Sequence, residues 1–327
     1  MVKKNILIIG GEGYIGNALY EYFSNKNFII TSFDNLIYRQ KNNKKNNKNY
    51  KFINGDLRKQ KDLKKIDKKF DSVIYLAGLV GDPITNKYKK ISTQINETAT
   101  KNFIKRVYTK GNTKKFIFIS TCSNYGLSKN KYLNENHALK PLSPYAKSKV
   151  KIEKFILNLK RKESFSPTIL RFATAFGYSN RMRYDLTINQ FTKDLFIKKY
   201  LEIYDFNTWR PYCHVKDFAR LIEKIIISDK SLTDYQVFNA GSNKNNFTKK
   251  AIGTKIKKFT GGKIKYLKKS QDKRNYVVDF SKVNKILKFN PKYSVEYGIN
   301  EILKKIRKDK VNYKSYEKFG NYKIILR

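Results

Sequence analysis

Residues 5–34 read NILIIGGEGYIGNALYEYFSNKNFIITSFD, and this stretch constrains the fold more than any other. An apolar run of strand length enters a turn carrying Gly10, Gly11, Gly13 and Gly16. A segment with helical period through Ile15, Leu19 and Phe23 follows, and then a second apolar run ending at Asp34. The pattern predicts a βαβ unit, because short runs that are apolar throughout suit strands buried on both faces. Glycines in such a turn allow a tight bend, close approach of the backbone to a pyrophosphate and packing of helix on strand, while the helix N-terminus presents N–H groups. A carboxylate about 20 residues beyond the turn accepts hydrogen bonds from a ribose. Asp34 is so placed, and its charge repels a 2′-phosphate, which favours NAD over NADP; Arg39 nearby pulls the other way. The plainer reading of Asp34 is a turn cap.

Further apolar runs at Tyr50–Ile53, Val73–Leu76, Phe116–Ser120 and Thr168–Phe172 are separated by stretches long enough for crossover helices. Alternation of this kind predicts an α/β fold, a Rossmann-like doubly wound parallel sheet. The character changes after Gly177, so we expect residues 1–176 to form the dinucleotide-binding domain, with 211–240 returning to it. Residues 177–210 and 241–327 are expected to form a smaller substrate-binding lobe. No apolar run approaches the ~18 residues of a membrane-spanning helix, and the first run stops at Gly10 without a signal cleavage site. A cytoplasmic protein without membrane contact is expected. Two cysteines, Cys122 and Cys213, form no disulfide framework, and no Cys/His spacing suggests a metal.

Seventy-one basic against 26 acidic side chains leave a formal charge of +45 in 327 residues. That raises a second class of function, a basic nucleic-acid-binding protein on a Rossmann scaffold. The Lys/Asn tract at 41–51 supports it, yet lysines also run through 61–69, 101–115 and the last stretch of chain, so the charge is spread rather than gathered into a stripe. With 40% hydrophobic residues the chain has material for a core, which excludes wholesale disorder. For an enzyme, such a charge steers anionic nucleotides towards a cleft.

Tyr145 and Lys149 stand four apart in SPYAKSKVKIEKF, on one face of a predicted helix. An ammonium beside a phenol favours the phenolate, so the pair predicts a tyrosine with a lowered pKa acting as general base. The helix follows a buried strand, FIFIS, whose end carries Thr121 and Ser123, the edge at which such sheets bind ligands.

With these residues in place, the chain resembles the extended short-chain dehydrogenase/reductases, the NAD-dependent nucleotide-sugar epimerase and dehydratase group. The likeness rests on GGEGYIG at 10–16, Gly55-Asp56, YLAG at 75–78, Asn96 in QINETAT, STCSNYG at 120–126, YAKSK at 145–149, RPYCHVKD at 210–217 and FNAGS at 238–242. It implies Thr121, Tyr145 and Lys149 as catalytic residues. It places NAD on Gly10, Gly13, Tyr14, Ile15, Gly16, Asp34, Asn35, Asp56, Leu57, Ala77, Gly78 and Asn96, with Tyr145 and Lys149 at the nicotinamide end. It places a nucleotide-sugar on Ser123, Thr174, Asn189, Arg210 and Arg274, with the arginines matched to a diphosphate. His214 is read as structural.

Two departures stand out. Thr174 replaces a frequent Asn, and Cys122-Ser123 stand where 4,6-dehydratases carry an Asp-Glu pair, which disfavours that elimination. The resemblance therefore implies NAD-dependent oxidation at C4 of a nucleotide-activated sugar, ending as a 4-epimerase or a 4-dehydrogenase in surface-polysaccharide synthesis. A dehydratase or reductase of the same family is the alternative. It also implies a homodimer, with helices at 91–110 and 145–162 pairing between copies and Val150, Phe155, Ile156 and Leu159 available to the seam.

Overall fold

The computed structural model describes residues 2–38, 48–127, 132–268, 274–308 and 319–325. Arg39 and most of the Lys/Asn tract lie outside them. Twelve strands are assigned among the described residues: β1 Lys4–Ile9, β2 Phe28–Asp34, β3 Tyr50–Asn54, β4 Phe70–Tyr75, β5 Thr113–Thr121, β6 Ser166–Phe172, β7 Thr174–Phe176, β8 Tyr200–Tyr204, β9 Trp209–His214, β10 Gln236–Ala240, β11 Asn246–Thr248 and β12 Lys263–Leu267. Seven of them form one sheet in the order β10-β6-β5-β4-β1-β2-β3. Every pair in it is parallel, with Ile9 opposite Phe33 on one side and Tyr75 on the other.

Side chains alternate between the sheet's two faces, as the period of a strand requires. Along β1, Ile6 and Ile8 enter one core with Leu19, Phe23, Phe218 and Ile222, while Leu7 and Ile9 enter the other with Phe103, Ile104, Ile152 and Ile156. The expected α/β sheet is therefore buried on both faces by helices. Residues 215–240 return to it: the helix Val215–Ile227 packs on the first helix, Tyr14–Phe23, and β10 forms the sheet's edge. β9 does not join that sheet; it pairs with β7 and β11 in a separate three-stranded sheet of the lobe.

The lobe packs around a further core built from Phe176, Met182, Ile188, Leu195, Ile252, Ile299 and Ile302, which Tyr14 and Ala18 of the first helix join. His214 is buried beneath it, Nε2 lying 3.0 Å from Glu301 Oε2 while Nδ1 accepts from the Lys216 backbone N–H. Burial works against ionisation of Glu301, but bonds from His214, Lys216 and the Tyr178 N–H outweigh it and hold the carboxyl down at about 2. A depressed carboxylate contributes stability that is present above its unfolded value, roughly 4.3, and lost as pH falls towards the folded one. Glu301→Gln is therefore expected to cost on the order of 1 to 2 kcal/mol at neutral pH. The gap to the native chain should narrow between about pH 4.5 and 2 in denaturant melts; a gap independent of pH would sink the assignment.

No helix among the described residues is long and apolar enough to cross a membrane. No cluster of His, Cys, Asp and Glu among them could hold a metal ion.

Candidate active site

The strand order reverses between β1 and β4, which opens a crevice beyond their carboxyl ends. A cleft of about 1200 Å³ occupies it, bounded by the loops after β1 to β5 and by the lobe. That exceeds the roughly 300 to 1,000 Å³ of an ordinary small-molecule pocket and leaves room for two ligands.

The glycine turn lies at the base of this cleft. Gly10 has φ +83°, and a Cβ there would sit 2.8 Å from the backbone of Ala77. At Gly16 a Cβ would meet the Gly11 carbonyl oxygen at 2.4 Å, so the helix packs directly on the turn. Asp34 is buried at the end of β2, with Oδ2 accepting from the Glu12 N–H (3.0 Å) and Oδ1 from the Leu36 N–H (2.8 Å). An ionised carboxylate has about four acceptor positions, enough for these bonds and a ribose together. Beside it, Asp56 is clasped by Arg58 through Nε and Nη2 and approached by the Asn35 amide at 3.3 Å. Burial opposes the charge of Asp56, but the Arg58 bonds prevail and hold its carboxyl below the usual range. A cradle closed to side chains, a helix N-terminus and a buried ribose-height carboxylate fit a dinucleotide.

Gly10, Gly13, Tyr14, Ile15, Gly16, Asp34, Asn35, Asp56, Leu57, Ala77 and Gly78 all line the cleft, whereas Asn96 does not. Asn96 sits in a π-helical turn, Gln94–Ala99, that swings its amide onto the loop after β4: Oδ1 accepts from the Leu79 N–H (2.8 Å) and Nδ2 donates to the Leu79 carbonyl (3.0 Å). These bonds fix the loop that forms the cleft wall.

Thr121 ends β5 with its hydroxyl oxygen accepting from the Ser123 N–H at 3.1 Å, which leaves the hydroxyl proton to be donated to a ligand. Tyr145 and Lys149 project from the helix Pro144–Leu157, started by the Ser143 hydroxyl, which accepts from the Ala146 N–H, and by Pro144. All three line the cleft. The expected lowering of the Tyr145 pKa is not found. Burial lifts the phenol above its ordinary value, and the strongest opposing charge is Arg183. Lys149 Nζ lies 6.0 Å from the Tyr145 ring centroid and donates to the Ile119 carbonyl at 2.8 Å. Burial also draws Lys149 down to about 8, partly offset by Glu153.

Behind the site lies a buried polar network. Glu153, one turn beyond Lys149, accepts from Arg171 Nη2 (2.8 Å) and Nε (3.1 Å), from Asn124 Nδ2 (2.8 Å) and from the Ser120 hydroxyl. Arg171 Nη1 reaches the Tyr125 hydroxyl at 3.1 Å, and that hydroxyl donates to Asn239 Oδ1 at 2.8 Å. The network fixes β5, β6, β10 and the Tyr145 helix together.

At the lobe end, Ser123, Thr174, Arg210 and Arg274 line the cleft. Arg210 is buried and donates to the carbonyls of Trp209 (2.7 Å) and Arg274; Arg274 Nη1 lies 3.0 Å from Asp82 Oδ2. Tyr276 stands between the two ends, its hydroxyl 3.3 Å from Ser123 Oγ and its ring centroid 5.2 Å from the Arg210 guanidinium. Asn189 is fully buried and does not face the cleft. Its Oδ1 accepts from the Gly177 N–H (3.0 Å) while Nδ2 donates both protons, to the Tyr14 hydroxyl (3.1 Å) and the Arg183 carbonyl (3.0 Å), so the amide acts as a staple.

The backbone bond to Asn189 helps to fix a residue that the sequence reading passed over. Arg183 is buried against Asp185, and Arg181 beside it is also in the lining. Burial and the Arg183 charge pull Arg181 below the ordinary guanidinium value, so a bound anion would be favoured there. The only trace in the sequence is two arginines at i, i+2 in RMRYD.

Cys122 is buried with its thiol near the Arg171 carbonyl (3.2 Å), and burial pushes the thiol up, so it supplies no base. Of the carboxylates lining the cleft, Asp82 and Asp185 are paired with Arg274 and Arg183.

Residues 6–241 match the family described as NAD dependent epimerase/dehydratase. The chain is 27% identical over 307 residues to a UDP-glucuronate 4-epimerase of Thermodesulfobacterium geofontis, covering 90% of this chain and 93% of that one. Over 184 residues it is 28% identical to human dTDP-D-glucose 4,6-dehydratase, covering 53% of this chain and 51% of that one. A UDP-glucuronic acid 4-epimerase of Bacillus cereus, solved with UDP-glucuronic acid and NAD, shares the fold with a TM-score of 0.82 at 22% identity, covering 93% and 99% of the two chains. The match runs from β1 to just past β10 and takes in both the glycine cradle and the Tyr145 helix, so the chain belongs to the NAD-dependent epimerase/dehydratase family.

Proposed function

We propose that this protein is an NAD-dependent 4-epimerase of a nucleotide-activated sugar, acting as a homodimer. The observation that carries the reading is a single proton-handling set, Thr121, Tyr145 and Lys149, in one cleft with Arg210 and Arg274, while Cys122 and Ser123 offer no acid/base pair for elimination. Thr121 donates a hydrogen bond to the C4 oxygen, and Tyr145, once ionised, takes the C4 hydroxyl proton. NAD held by the glycine turn, Asp34 and Asp56 would supply the acceptor and donor of the C4 hydride, so that the hydrogen can be restored on the opposite face. Tyr145 gives the proton back, so protons and electrons balance with no further reactant. Arg210 and Arg274 hold the diphosphate while the sugar turns. Arg274 must exchange Asp82 for that ligand.

The test is a panel of UDP-, GDP-, CDP- and dTDP-sugars with NAD, with products followed by NMR. One of them should give its 4-epimer with NAD needed only in catalytic amount. Stoichiometric NADH would instead assign a net 4-dehydrogenase. Tight nucleic-acid binding with a steep salt dependence, and no turnover with any sugar, would overturn the enzyme reading.

A further inference from the structure

Residues Phe319–Ile325 have no regular secondary structure beyond a short turn, yet they are anchored at three separate loops around the cleft. The Phe319 carbonyl accepts from the Tyr184 N–H (2.6 Å), and its ring meets the Tyr184 ring edge-on at 5.8 Å. The Gly320 carbonyl accepts from Arg181 Nη2 at 3.3 Å. The Asn321 amide reaches the Val80 carbonyl at 3.5 Å. Ile324 packs on Leu79 and Ile84 with Ile37 and Tyr38, and the Ile325 N–H donates to the Ile37 carbonyl at 2.8 Å. Asn321 and Tyr322 themselves line the cleft.

Two of the three loops follow cofactor-side strands: Ile37 comes just after Asp34 on β2, and Val80 just after Gly78 beyond β4. The third carries Arg181, whose guanidinium is held 5.2 Å over the Tyr38 ring, with Asp34 among the charges acting on it. The segment thus ties together both cofactor loops and the lobe.

We infer that Phe319–Ile325 is a strap that forms part of the dinucleotide site, retaining the cofactor between half-reactions and fixing Arg181 as a cation for its diphosphate. This rests on the epimerase reading in one respect: an enzyme that stores hydride on its cofactor and returns it must keep that cofactor bound. A few hydrogen bonds and two apolar side chains, Phe319 and Ile324, hold the strap, so it opens at a fraction of the cost of unfolding, and cofactor exchange waits on that opening.

The test compares the full chain with one ended at Lys318 and with two full-length variants, Ile324→Asp and Arg181→Gln. The readout is the NADH dissociation rate, by displacement into excess NAD with fluorescence detection. All three changes should speed dissociation by about 10- to 100-fold, the range for losing one charge-assisted hydrogen bond. Ile324→Asp should leave the melting temperature of the ligand-free protein within a few degrees, which separates loss of the strap from loss of the fold. Rates within twofold of the full chain for the truncation and Ile324→Asp would overturn the strap. A full chain that binds NAD but yields no 4-epimer would overturn the function while leaving the strap to be judged on its rates.

Discussion

Tyr145→Phe should reduce kcat by roughly 100- to 10,000-fold, the usual contribution of a positioned acid/base. The substitution removes one oxygen and leaves the ring in place. Lys149 keeps its bond to the Ile119 carbonyl, so the site should retain its shape. NAD affinity should therefore stay within a few-fold of the native value, and the loss should fall on kcat with little change in KM. Because burial raises the phenol, activity in the native enzyme should climb with pH as the phenolate forms. The residual activity of the phenylalanine variant should lose that rise. A variant keeping a tenth or more of native kcat would remove Tyr145 from the reaction.

Arg171→Met should produce the largest loss of stability, about 3 to 5 kcal/mol in denaturant melts, because it strands a buried charge. Glu153 is 1% exposed, and Arg171 gives it two of its hydrogen bonds. Burial opposes the Arg171 charge, but Glu153 reverses this and raises the guanidinium above its ordinary value. Removing the cation leaves a carboxylate with Ser120 and Asn124 for company, too little to replace its lost hydration. Pairing the change with Glu153→Gln should recover a large part of the loss, since an amide tolerates burial far better than an anion. If the double variant were as unstable as the single one, packing rather than charge would be responsible. Ser120 directly precedes Thr121 and Glu153 follows Lys149 by one turn, so even the refolded double variant should turn over more slowly at unchanged NAD affinity.

Local chemistry was legible in the sequence wherever neighbours along the chain decide it. The glycine turn and the Tyr145/Lys149 spacing depend on residues a few positions apart and Asp34 on the length of one βαβ unit, and all of them arrive in the cleft. Asn96 and Asn189 lie outside the cleft lining, and an asparagine's role depends on where its amide points, which spacing along the chain does not encode. A π-helical turn aims one at Leu79, and Tyr14, Gly177 and Arg183 hold the other. The ionisation of Tyr145 was read from one neighbour when burial by many residues decides it. Arg181 and Arg183 carry no periodic signature, and their alignment depends on Asp185, Asn189 and the strap. The three-stranded sheet had no sequence signature, because β9 pairs with β7 and β11, each more than 30 residues away along the chain.

Tyr14 opens the helix that follows the glycine cradle, and its hydroxyl donates to the Gly177 carbonyl at 2.6 Å in the lobe, braced by Asn189. One end of this joint lines the cleft beside the glycine turn and the other leads through Asn189 to Arg183. Free energy spent in ordering it is common to both ligands. By linkage, the factor by which NAD tightens nucleotide-sugar binding must equal the factor by which the sugar tightens NAD. Titrations in the two orders measure the same quantity, and replacing the Tyr14 hydroxyl should shrink both by one shared ratio.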